Sequence, residues 1–309
     1  MNLRNFIEEL NKKNPFSGDI KFDEPMSGHT TFKTGGPADL WVRPDKAVFP
    51  AWTAAMLKAA KGEGIPVFVL GGGANILVSD KGIRGIVLDT GAWEGVDFDT
   101  GSVNILSGTS IKSLTQDLAE AGLGGLEFLA GMPGTVGGAV YMNARCYGKS
   151  VSDVLISTEI LNENFETINL PFNEIDFGYK KSPFQNVDTL ILSASFRVTP
   201  LETSQILKTM EKNIRDREEK GQFRFPSAGS VFKNNHDFGE PSGKIIADLG
   251  LRGLSIGNAQ IAPWHGNYII NKGNASSADI RLLMEEVVKK VKEEKCFSLE
   301  NEVLLVGEW

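Results

Sequence analysis

Three consecutive glycines, Gly71, Gly72 and Gly73, separate two apolar runs at Val67–Leu70 and Ile76–Val78. Each run is typical of a buried strand. Because glycine carries no side chain, a run of glycines can turn successive backbone N–H groups towards one point, where they bind phosphate oxygens. The alternative is a tight hairpin that joins the two strands. The segment taken alone favours the hairpin, since glycine-rich turns are common.

A second glycine-rich stretch covers residues 131–148. Its glycines include positions 131, 134, 137 and 138. Two such loops in one chain indicate an extended, phosphate-bearing cofactor that is held mainly by main-chain groups. Neither loop matches the dinucleotide-binding fingerprint, because Ile76 occupies the place of the third glycine and no helical pattern follows. A Walker-type loop is also missing from the sequence, since Gly243 and Lys244 are followed by Ile245.

The remaining residues that could do chemistry give weaker signals. Ser230 follows a glycine, but no Gly-x-Ser-x-Gly motif surrounds it, which disfavours a hydrolase nucleophile. Glu302 precedes a C-terminal strand pattern, and its spacing alone favours a solubilising residue at a strand edge over a catalytic carboxylate. The histidines lack the spacing of a metal site and are expected to be structural. They are His29, His236 and His265.

Composition excludes several classes of protein. The 309 residues carry a net charge of −7, which disfavours nonspecific binding to nucleic acids or anionic membranes. No apolar run reaches the length of a membrane-spanning helix, and the N-terminal segment is amphipathic and acidic rather than signal-like. Two cysteines, Cys146 and Cys296, do not indicate a disulfide scaffold. We therefore expect a cytoplasmic enzyme.

Apolar periodicity predicts the elements that must position these loops. Helices are expected at residues 3–13, 45–63, 110–121, 203–220, 241–249 and 276–295. Strands are expected at residues 67–70, 76–78, 85–88, 103–106, 154–161, 166–169, 189–198, 230–233, 267–271 and 302–307. The chain up to residue 90 is typical of a small α/β layer, and the following part of an α+β domain with a mainly antiparallel sheet. The charged helix at 203–220, with its stripe Ile206, Met210 and Ile214, is expected to be solvated and to cross between domains.

Several segments together resemble one known family. In chain order they are residues 31–39, 70–80, 131–148, 177–182, 227–234 and Glu302 with Val303. Their order resembles that of the UDP-N-acetylenolpyruvoylglucosamine reductases, the flavoenzymes that make UDP-N-acetylmuramic acid for bacterial peptidoglycan. The resemblance covers nearly the whole chain. The short interval between Tyr179 and Ser230 is similar to the compact subtype, which lacks an inserted tyrosine-bearing substrate loop.

The resemblance implies an α+β fold of three parts. Two α+β subdomains would form an FAD-binding fold of the vanillyl-alcohol-oxidase (PCMH) type, and a C-terminal α+β domain would bind the substrate. The implied boundaries are 1–89, joined by the C-terminal strand at 298–309, then 90–202 for the second subdomain and 203–297 for the substrate domain.

The resemblance also implies that FAD is bound noncovalently by the two glycine loops. The first loop would cradle the diphosphate, and the second would run along the flavin and its phosphates. The implied cofactor-binding residues are Gly71, Gly72, Gly73, Ala74, Asn75, Ile76, Gly131, Met132, Thr135, Gly137 and Gly138.

The implied chemistry has two halves, with no metal. NADPH reduces FAD and leaves, after which UDP-N-acetylglucosamine enolpyruvate binds and the reduced flavin delivers hydride to its methylene carbon. Ser230 matches the family's proton donor to the neighbouring carbon, a weak acid that needs tight placement. Glu302 matches the glutamate that helps to polarise the substrate carboxylate. Tyr179 and Asn234 match substrate-binding residues, Asn234 at the diphosphate.

Lys180 departs from the family motif, which has an arginine here that bonds the substrate carboxylate. Lysine keeps the charge but loses the planar, two-pronged donor geometry. Three alternatives remain open: Lys180 acts as a point charge, Lys181 or another basic residue takes over, or the activity is slow or altered. Two other functions also remain open. They are another FAD oxidoreductase on this fold, such as an oxidase of small alcohols or sugars, and a catalytically silent protein that binds nucleotide sugars.

Overall fold

A computed structural model describes residues 2–309 of the chain. The helices are α1 Leu3–Lys13, α2 Phe49–Gly62, α3 Ile111–Glu120, α4 Val136–Tyr141, α5 Thr203–Glu219, α6 Ser242–Asp248 and α7 Ser277–Lys295. The strands are β1 Gly18–Pro25, β2 Pro37–Pro44, β3 Val67–Leu70, β4 Ile76–Val78, β5 Ile83–Asp89, β6 Val96–Asp99, β7 Ser102–Leu106, β8 Leu123–Gly124, β9 Arg145–Cys146, β10 Lys149–Ser150, β11 Leu155–Leu161, β12 Thr167–Pro171, β13 Leu190–Arg197, β14 Thr199–Pro200, β15 Ser255–Ile256, β16 Ala259–Ile261, β17 Ile269–Asn271 and β18 Leu304–Val306.

The described residues form two compact units. The first unit comprises the residues up to Phe22 together with Leu40–Gly72 and Gly85–Ile214. The second unit comprises Asp23–Asp39, Gly73–Arg84 and Arg215–Trp309. Within residues 2–309, no helix combines the length and the apolar character that crossing a membrane requires.

A four-stranded sheet with the order β1-β2-β5-β3 supports the first glycine loop, because β3 ends at Leu70. Strands β3 and β5 run parallel, and Thr90 donates its backbone N–H to the carbonyl of Leu70 at 3.0 Å. Helix α2 packs its predicted apolar stripe, including Trp52 and Met56, into the core of this layer. The helix begins at Phe49 rather than at the predicted residue 45, with a proline in its first turn.

A five-stranded antiparallel sheet supports the second glycine loop. Its order is β12-β11-β13-β7-β6, which confirms the antiparallel sheet predicted after residue 90. Helices α3 and α4 contribute Ile111, Leu114 and Val140 to the buried cluster that includes Phe196 of β13. Helix α5 is anchored separately through Ile206 and Met210, as its stripe predicts.

The second unit is built around α7 and a small antiparallel sheet with the order β15-β16-β17. Ile280, Leu283 and Val287 of α7 are buried with Ile261 and Ile269 of the sheet. A separate parallel pair joins β4 to β18, with Ile76 opposite Leu304. The C-terminal strand is therefore tied to the segment that follows the first glycine loop.

The predicted start of α7 is confirmed. Ser276 and Asp279 form a reciprocal capping box. The Asp80 carboxylate accepts two further N–H bonds, from Ser277 at 2.9 Å and Ala278 at 2.8 Å. A carboxylate at a helix N-terminus both satisfies free donors and interacts favourably with the helix dipole.

The hairpin favoured for residues 67–78 is wrong. Strand β3 pairs with β5, whereas β4 pairs with β18, so the glycines carry the chain from one sheet to another. The strand predicted at 230–233 is also wrong, because only isolated bridges form there, from Ser230 to Tyr268 and from Phe232 to Asn301. Alternation reveals an extended segment but not whether its neighbours pair regularly with it.

Replacement of Asp80 by alanine should lower the free energy of unfolding by about 1 kcal/mol, because two N–H groups of α7 lose their acceptor. Equilibrium urea denaturation measures the change. Asp97→Ala removes the same charge from an exposed position on β6 and should change stability by less than about 0.5 kcal/mol. Equal effects of the two substitutions would contradict a capping role for Asp80.

Candidate active site

The two glycine loops meet within the first unit. A Cβ on Gly72 would lie 2.6 Å from the Cα of Gly134, and a Cβ on Gly71 would lie 2.6 Å from Oγ1 of Thr135. Real Cβ atoms do not approach backbone atoms this closely, so position 72 requires glycine, whereas the neighbour of Gly71 is a hydroxyl group that could rotate away. The structure therefore brings together two segments that are far apart in the sequence.

The first loop offers hydrogen-bond donors without protein acceptors. In the first unit, the backbone N–H groups of Gly71 and Gly72 donate to no other group among residues 2–309. The same is true, in the second unit, of Gly73 and Ala74 within the described chain. Gly73 is buried and has a φ of +60°, next to the carbonyl of His29, which leaves no room for a side chain. A buried N–H group normally has a partner, so the Gly73 donor fits a bound anion such as a diphosphate.

The second loop leads into α4. Some of its predicted residues have a structural role in the protein, and one, Gly138, does not. Thr135 caps α4, accepting the N–H of Gly138 at 3.5 Å. Gly137 is required by the protein itself, because its Cβ would lie 2.8 Å from Cβ of Ser107. Gly138 has no such neighbour, and its Cβ would be 3.6 Å from Oγ1 of Thr135. Gly138 thus leaves open space on α4 that the protein does not fill.

The remaining predicted residues of this loop are Gly131 and Met132. Gly131 has a φ of +74°, at the bend where the loop begins. Met132 is partly buried and packs against the core of the antiparallel sheet, and its N–H bonds to the carbonyl of Leu129 at 2.9 Å. Met132 therefore helps to fix the loop on the sheet.

Lys180 lies at the corner of a tight turn in the first unit. Gly178 and Lys181 close the turn by exchanging two backbone hydrogen bonds of 3.1 Å. Lys180 has a φ of +56°, a left-handed conformation that costs a non-glycine residue about 1 kcal/mol or more. Tyr179, beside it in the turn, is 46% exposed. Backbone strain of this kind is often found at functional sites.

Side chains near the end of α4 hold this turn. Asn143 donates from Nδ2 to the carbonyl of Gly178 at 2.8 Å, and Gln185 donates from Nε2 to the carbonyl of Lys180 at 3.1 Å. Ser182 donates from Oγ to the carbonyl of Tyr141, the last residue of α4, at 2.7 Å. The turn that carries Lys180 is thus fastened to the helix that begins at the second glycine loop.

In the second unit, Asn75 connects the first glycine loop to the C-terminal segment. Its Nδ2 donates to the carbonyl of Glu302 at 2.9 Å, and its own carbonyl accepts the N–H of Leu304 at 3.0 Å. Ile76 follows as the first residue of β4 and is buried. Asn75 and Ile76 therefore have structural roles in the second unit.

Backbone hydrogen bonds join the segments that carry Ser230 and Glu302. The N–H of Glu302 bonds to the carbonyl of Val231 at 2.7 Å, and Ser230 bridges to Tyr268 on the other side. Asn267 locks this segment, because its side chain accepts the N–H of Phe232 at 2.9 Å and donates to its carbonyl at 2.8 Å. Sequence reasoning missed Asn267, which is buried and carries no motif signal.

Asn234, predicted to contact the substrate, also has a structural role. Its Oδ1 accepts the N–H of Ser242 at 2.9 Å, and Ser242 donates from Oγ to the carbonyl of Lys233 at 2.6 Å. These bonds hold the start of α6 beside the segment that follows Ser230.

Tyr268 and His265 form an aromatic pair near Ser230 that the sequence did not indicate. Their rings stack with centroids 3.8 Å apart. Burial raises the pKa of the Tyr268 phenol, the Arg217 guanidinium opposes the rise, and the carboxylates of Asp216 and Glu302 add to it. Burial and the nearby Lys220 lower the pKa of His265, which favours a neutral imidazole.

Arg217 also escaped the sequence analysis, although a signal for it exists. The buried positions of α5 are Ile206, Met210, Asn213 and Arg217. They follow the i, i+4, i+7, i+11 spacing of one helix face, so the inward stripe continues past its apolar residues into two polar ones. A charged residue in register with an apolar stripe indicates a buried charge that is paired.

Family models match both parts of the chain. Residues 50–170 match the model described as FAD binding domain, and residues 221–306 match the C-terminal domain of UDP-N-acetylenolpyruvoylglucosamine reductase. The latter model covers Ser230 and Glu302, and the former covers both glycine loops.

Similar proteins carry the name of the same enzyme. The UDP-N-acetylenolpyruvoylglucosamine reductase of Treponema denticola is 42% identical over 94% of this chain and 95% of its own length. That of Borrelia garinii is 39% identical over 99% of this chain and 97% of its own length.

Solved structures agree with the sequence comparisons. The crystal structure of the reductase (MurB) from Thermus caldophilus superposes with a TM-score of 0.78 and 30% identity, over 94% of this chain and 99% of that one. A 4-ethylphenol oxidase from Gulosibacter chungangensis, at 16% identity and a TM-score of 0.50 over 64% of this chain, shares the fold alone. The predicted α+β class with its FAD-binding fold is confirmed. The chain belongs to the UDP-N-acetylenolpyruvoylglucosamine reductase family and is an FAD-dependent oxidoreductase.

Proposed function

We propose that this enzyme reduces UDP-N-acetylglucosamine enolpyruvate to UDP-N-acetylmuramate with NADPH as the hydride donor, in the bacterial cytoplasm, as a step of cell-wall synthesis. The names of its relatives support the substrate class. The observation that carries the proposal is the backbone bond from Glu302 to Val231, the residue after Ser230, which joins the segments that carry the two side chains. An oxidase of small alcohols on the same fold requires neither residue.

FAD would be held noncovalently by the donors described above. The N–H groups of Gly71, Gly72, Gly73 and Ala74 fit its diphosphate, and the open face at Gly138 fits part of the cofactor. When bound, FAD supplies hydride transfer between NADPH and the substrate.

Ser230 is proposed to donate the proton. Addition of hydride to the methylene carbon moves the electron pair of the double bond to the neighbouring carbon, which then takes the proton of the Ser230 hydroxyl. A serine hydroxyl is a weak acid, so it works only when it is held close to a strongly basic carbon. The bridge to Tyr268 and the anchoring of Val231 support such placement.

Glu302 and Lys180 are proposed to act on the substrate carboxylate, where negative charge spreads during the reaction. Glu302 would donate a hydrogen bond as a protonated acid, and Lys180 would act as a point charge. The backbone strain at Lys180 supports a functional role for this residue. Tyr179 and Asn234 are proposed to contact the substrate, Asn234 at its diphosphate.

The three-part division into residues 1–89 with 298–309, 90–202 and 203–297 remains a proposal. The family models support only the boundary at residue 203, since the FAD-binding match runs from residue 50 across residue 89 to residue 170 and the C-terminal match begins at residue 221. The compact subtype also remains a proposal.

Ser230→Ala should leave reduction of the flavin by NADPH unchanged and slow reduction of the enolpyruvyl substrate by about 100-fold or more, because only the second half-reaction needs the proton. Anaerobic stopped-flow absorbance follows each half separately. Ser255→Ala, at an exposed serine of the same unit, is the matched control. Equal losses in both halves would rule out a proton-donor role.

Lys180→Arg should preserve or raise the rate of substrate reduction, since arginine keeps the charge and adds a second prong. Lys180→Ala should raise the KM for the enolpyruvyl substrate about tenfold and leave flavin reduction by NADPH intact. Steady-state and single-turnover kinetics test both. Unchanged kinetics in Lys180→Ala would remove Lys180 from the substrate site.

Gly137→Ala and Gly138→Ala should fail in different ways. The first forces a methyl group against Ser107 and should destabilise the flavin-free protein by about 1–3 kcal/mol. The second fits the protein but fills the open space and should weaken FAD binding about tenfold. Thermal denaturation and FAD titration of the flavin-free protein separate the two effects. Normal FAD affinity in Gly138→Ala would contradict its placement at the cofactor.

A further inference from the structure

Two exposed phenylalanines flank an exposed arginine in the segment that precedes Ser230. Phe223 is 51% exposed and Phe225 is 40% exposed, with Arg224 between them. Within residues 2–309 the Arg224 guanidinium forms no ion pair, and it lies 5.0 Å from the centroid of the Trp264 ring. Single exposed apolar residues are ordinary, whereas aromatic rings grouped beside an unpaired guanidinium are typical of a binding site.

Trp264 gives one of these rings a rigid support. The rings of Phe225 and Trp264 are stacked at an angle of 21°, with centroids 6.1 Å apart. Gly221 makes room for the indole, because its φ is +69° and a Cβ there would overlap Nε1 of Trp264. Trp264 also packs against the buried cluster that contains Tyr268. Phe223 has no ring partner in the described chain, so of the two phenylalanines Phe225 alone is held in place before a ligand binds.

The loop that carries Trp264 adjoins the Ser230 segment within the second unit. His265, the residue after Trp264, stacks on Tyr268 with centroids 3.8 Å apart, and Tyr268 bridges to Ser230. The five residues from Phe225 to Ser230 span at most about 18 Å even when fully extended. The aromatic pair therefore lies within about the length of an extended nucleotide sugar from the proposed proton donor.

The same loop adjoins the segment proposed to contact the diphosphate. A Cβ on Gly243 would lie 3.3 Å from Cε1 of His265. Ser242, immediately before Gly243, donates its backbone N–H to Oδ1 of Asn234 at 2.9 Å. The diphosphate of a nucleotide sugar separates the sugar from the nucleoside. A substrate with its diphosphate at Asn234 can therefore bring its base to the loop that carries Trp264.

We propose that the uracil base of the nucleotide-sugar substrate stacks on the ring of Phe225, which Trp264 supports, and that Arg224 supplies positive charge to the adjoining phosphate. The inference rests on the proposed function and identifies the residues that contact the nucleoside. Stacking on an aromatic side chain adds affinity through the flat face of a base and needs no hydrogen bond. The guanidinium keeps its charge at neutral pH and complements an anionic ligand on an otherwise acidic protein.

The deciding experiment compares UDP with its 5,6-dihydro derivative. The two ligands carry the same phosphates and the same base carbonyl and N–H groups, but the saturated base is puckered and stacks poorly. In the unaltered holoenzyme, titration calorimetry should show UDP binding about fivefold to fiftyfold more tightly than dihydro-UDP. In Phe225→Leu, which keeps an apolar side chain but removes the aromatic face, the affinity for UDP should fall to that for dihydro-UDP. Equal weakening of both ligands, or no weakening of either, would overturn the proposal.

Phe223→Leu is the matched control, because it makes the same change at an exposed ring that has no ring partner in the described chain. It should leave both affinities within about twofold of those of the unaltered enzyme. Arg224→Gln should weaken UDP and dihydro-UDP equally, by about threefold to tenfold, since both carry the phosphates. Unchanged affinities in Arg224→Gln would overturn the placement of Arg224. All three positions are exposed, and thermal denaturation checks that each variant folds.

Kinetics of the two half-reactions distinguish the substrate from the coenzyme. In Phe225→Leu the KM for the enolpyruvyl substrate should rise about fivefold to fiftyfold, with the KM for NADPH in flavin reduction unchanged. A rise confined to NADPH would assign Phe225 to the adenine of the coenzyme and overturn the proposal. If the unaltered enzyme reduces the enolpyruvyl substrate and Phe225→Leu does so with the same KM, the inference fails and the proposed function stands. If the unaltered enzyme does not reduce it, both fail together.

Discussion

The backbone contact between Gly72 and Gly134 is the constraint on which the cofactor site of the first unit depends. With 2.6 Å between the Cα of Gly134 and a Cβ on Gly72, the two loops can adopt this arrangement only when residue 72 is glycine. Beside this contact, the N–H groups of Gly71 and Gly72 donate to no acceptor in the described chain. A site made from main-chain donors in this way recognises phosphate by geometry and needs no basic side chain, which agrees with an acidic protein that binds an anionic cofactor.

The second unit fixes the segment that carries Ser230, which the proposed role as a weak acid would require. The carbonyl of Val231 accepts the N–H groups of Glu302 and Val303, at 2.7 and 3.3 Å, while Ser230 bridges to Tyr268. The segment between them forms no regular ladder, so its position depends on side chains such as that of Asn267, which bonds both backbone groups of Phe232. In a regular strand, side chains point alternately to the two faces of the sheet. An irregular segment that buried amides hold in place can direct a serine hydroxyl in other directions.

The sequence predicts most of the helices because their signals are local. Helix α1 has its predicted bounds, and α7 begins within a residue of its prediction because Ser276 and Asp279 identify the cap. The partners of β3 and β4 could not be predicted in the same way, since β18 lies at the other end of the chain and alternation says nothing about distant pairing. The same limit explains the failure at residues 230–233.

The candidate site was accessible from the sequence only where composition or family motifs identified it. The glycine loops can be recognised in the sequence because close packing requires glycine there. Ser230 and Glu302 were identified through the resemblance to the family. Asn267 and Gln222 act through hydrogen bonds to distant backbone or side chains, and neither has a periodic or compositional signature. The burial of Arg217 was predictable in part. It lies on the same helix face as Ile206 and Met210, so a search for inward positions that includes polar residues would have found it.

The conformation of Lys180 helps to explain how the chain can carry a lysine where the family motif has an arginine. A left-handed lysine is unfavourable by about 1 kcal/mol, and the bonds from Asn143 and Gln185 to carbonyls of the turn offset that cost. The turn is thus maintained by contacts to its backbone, which do not depend on the side chain at position 180. The side chain at position 180 can therefore change between lysine and arginine without loss of the turn.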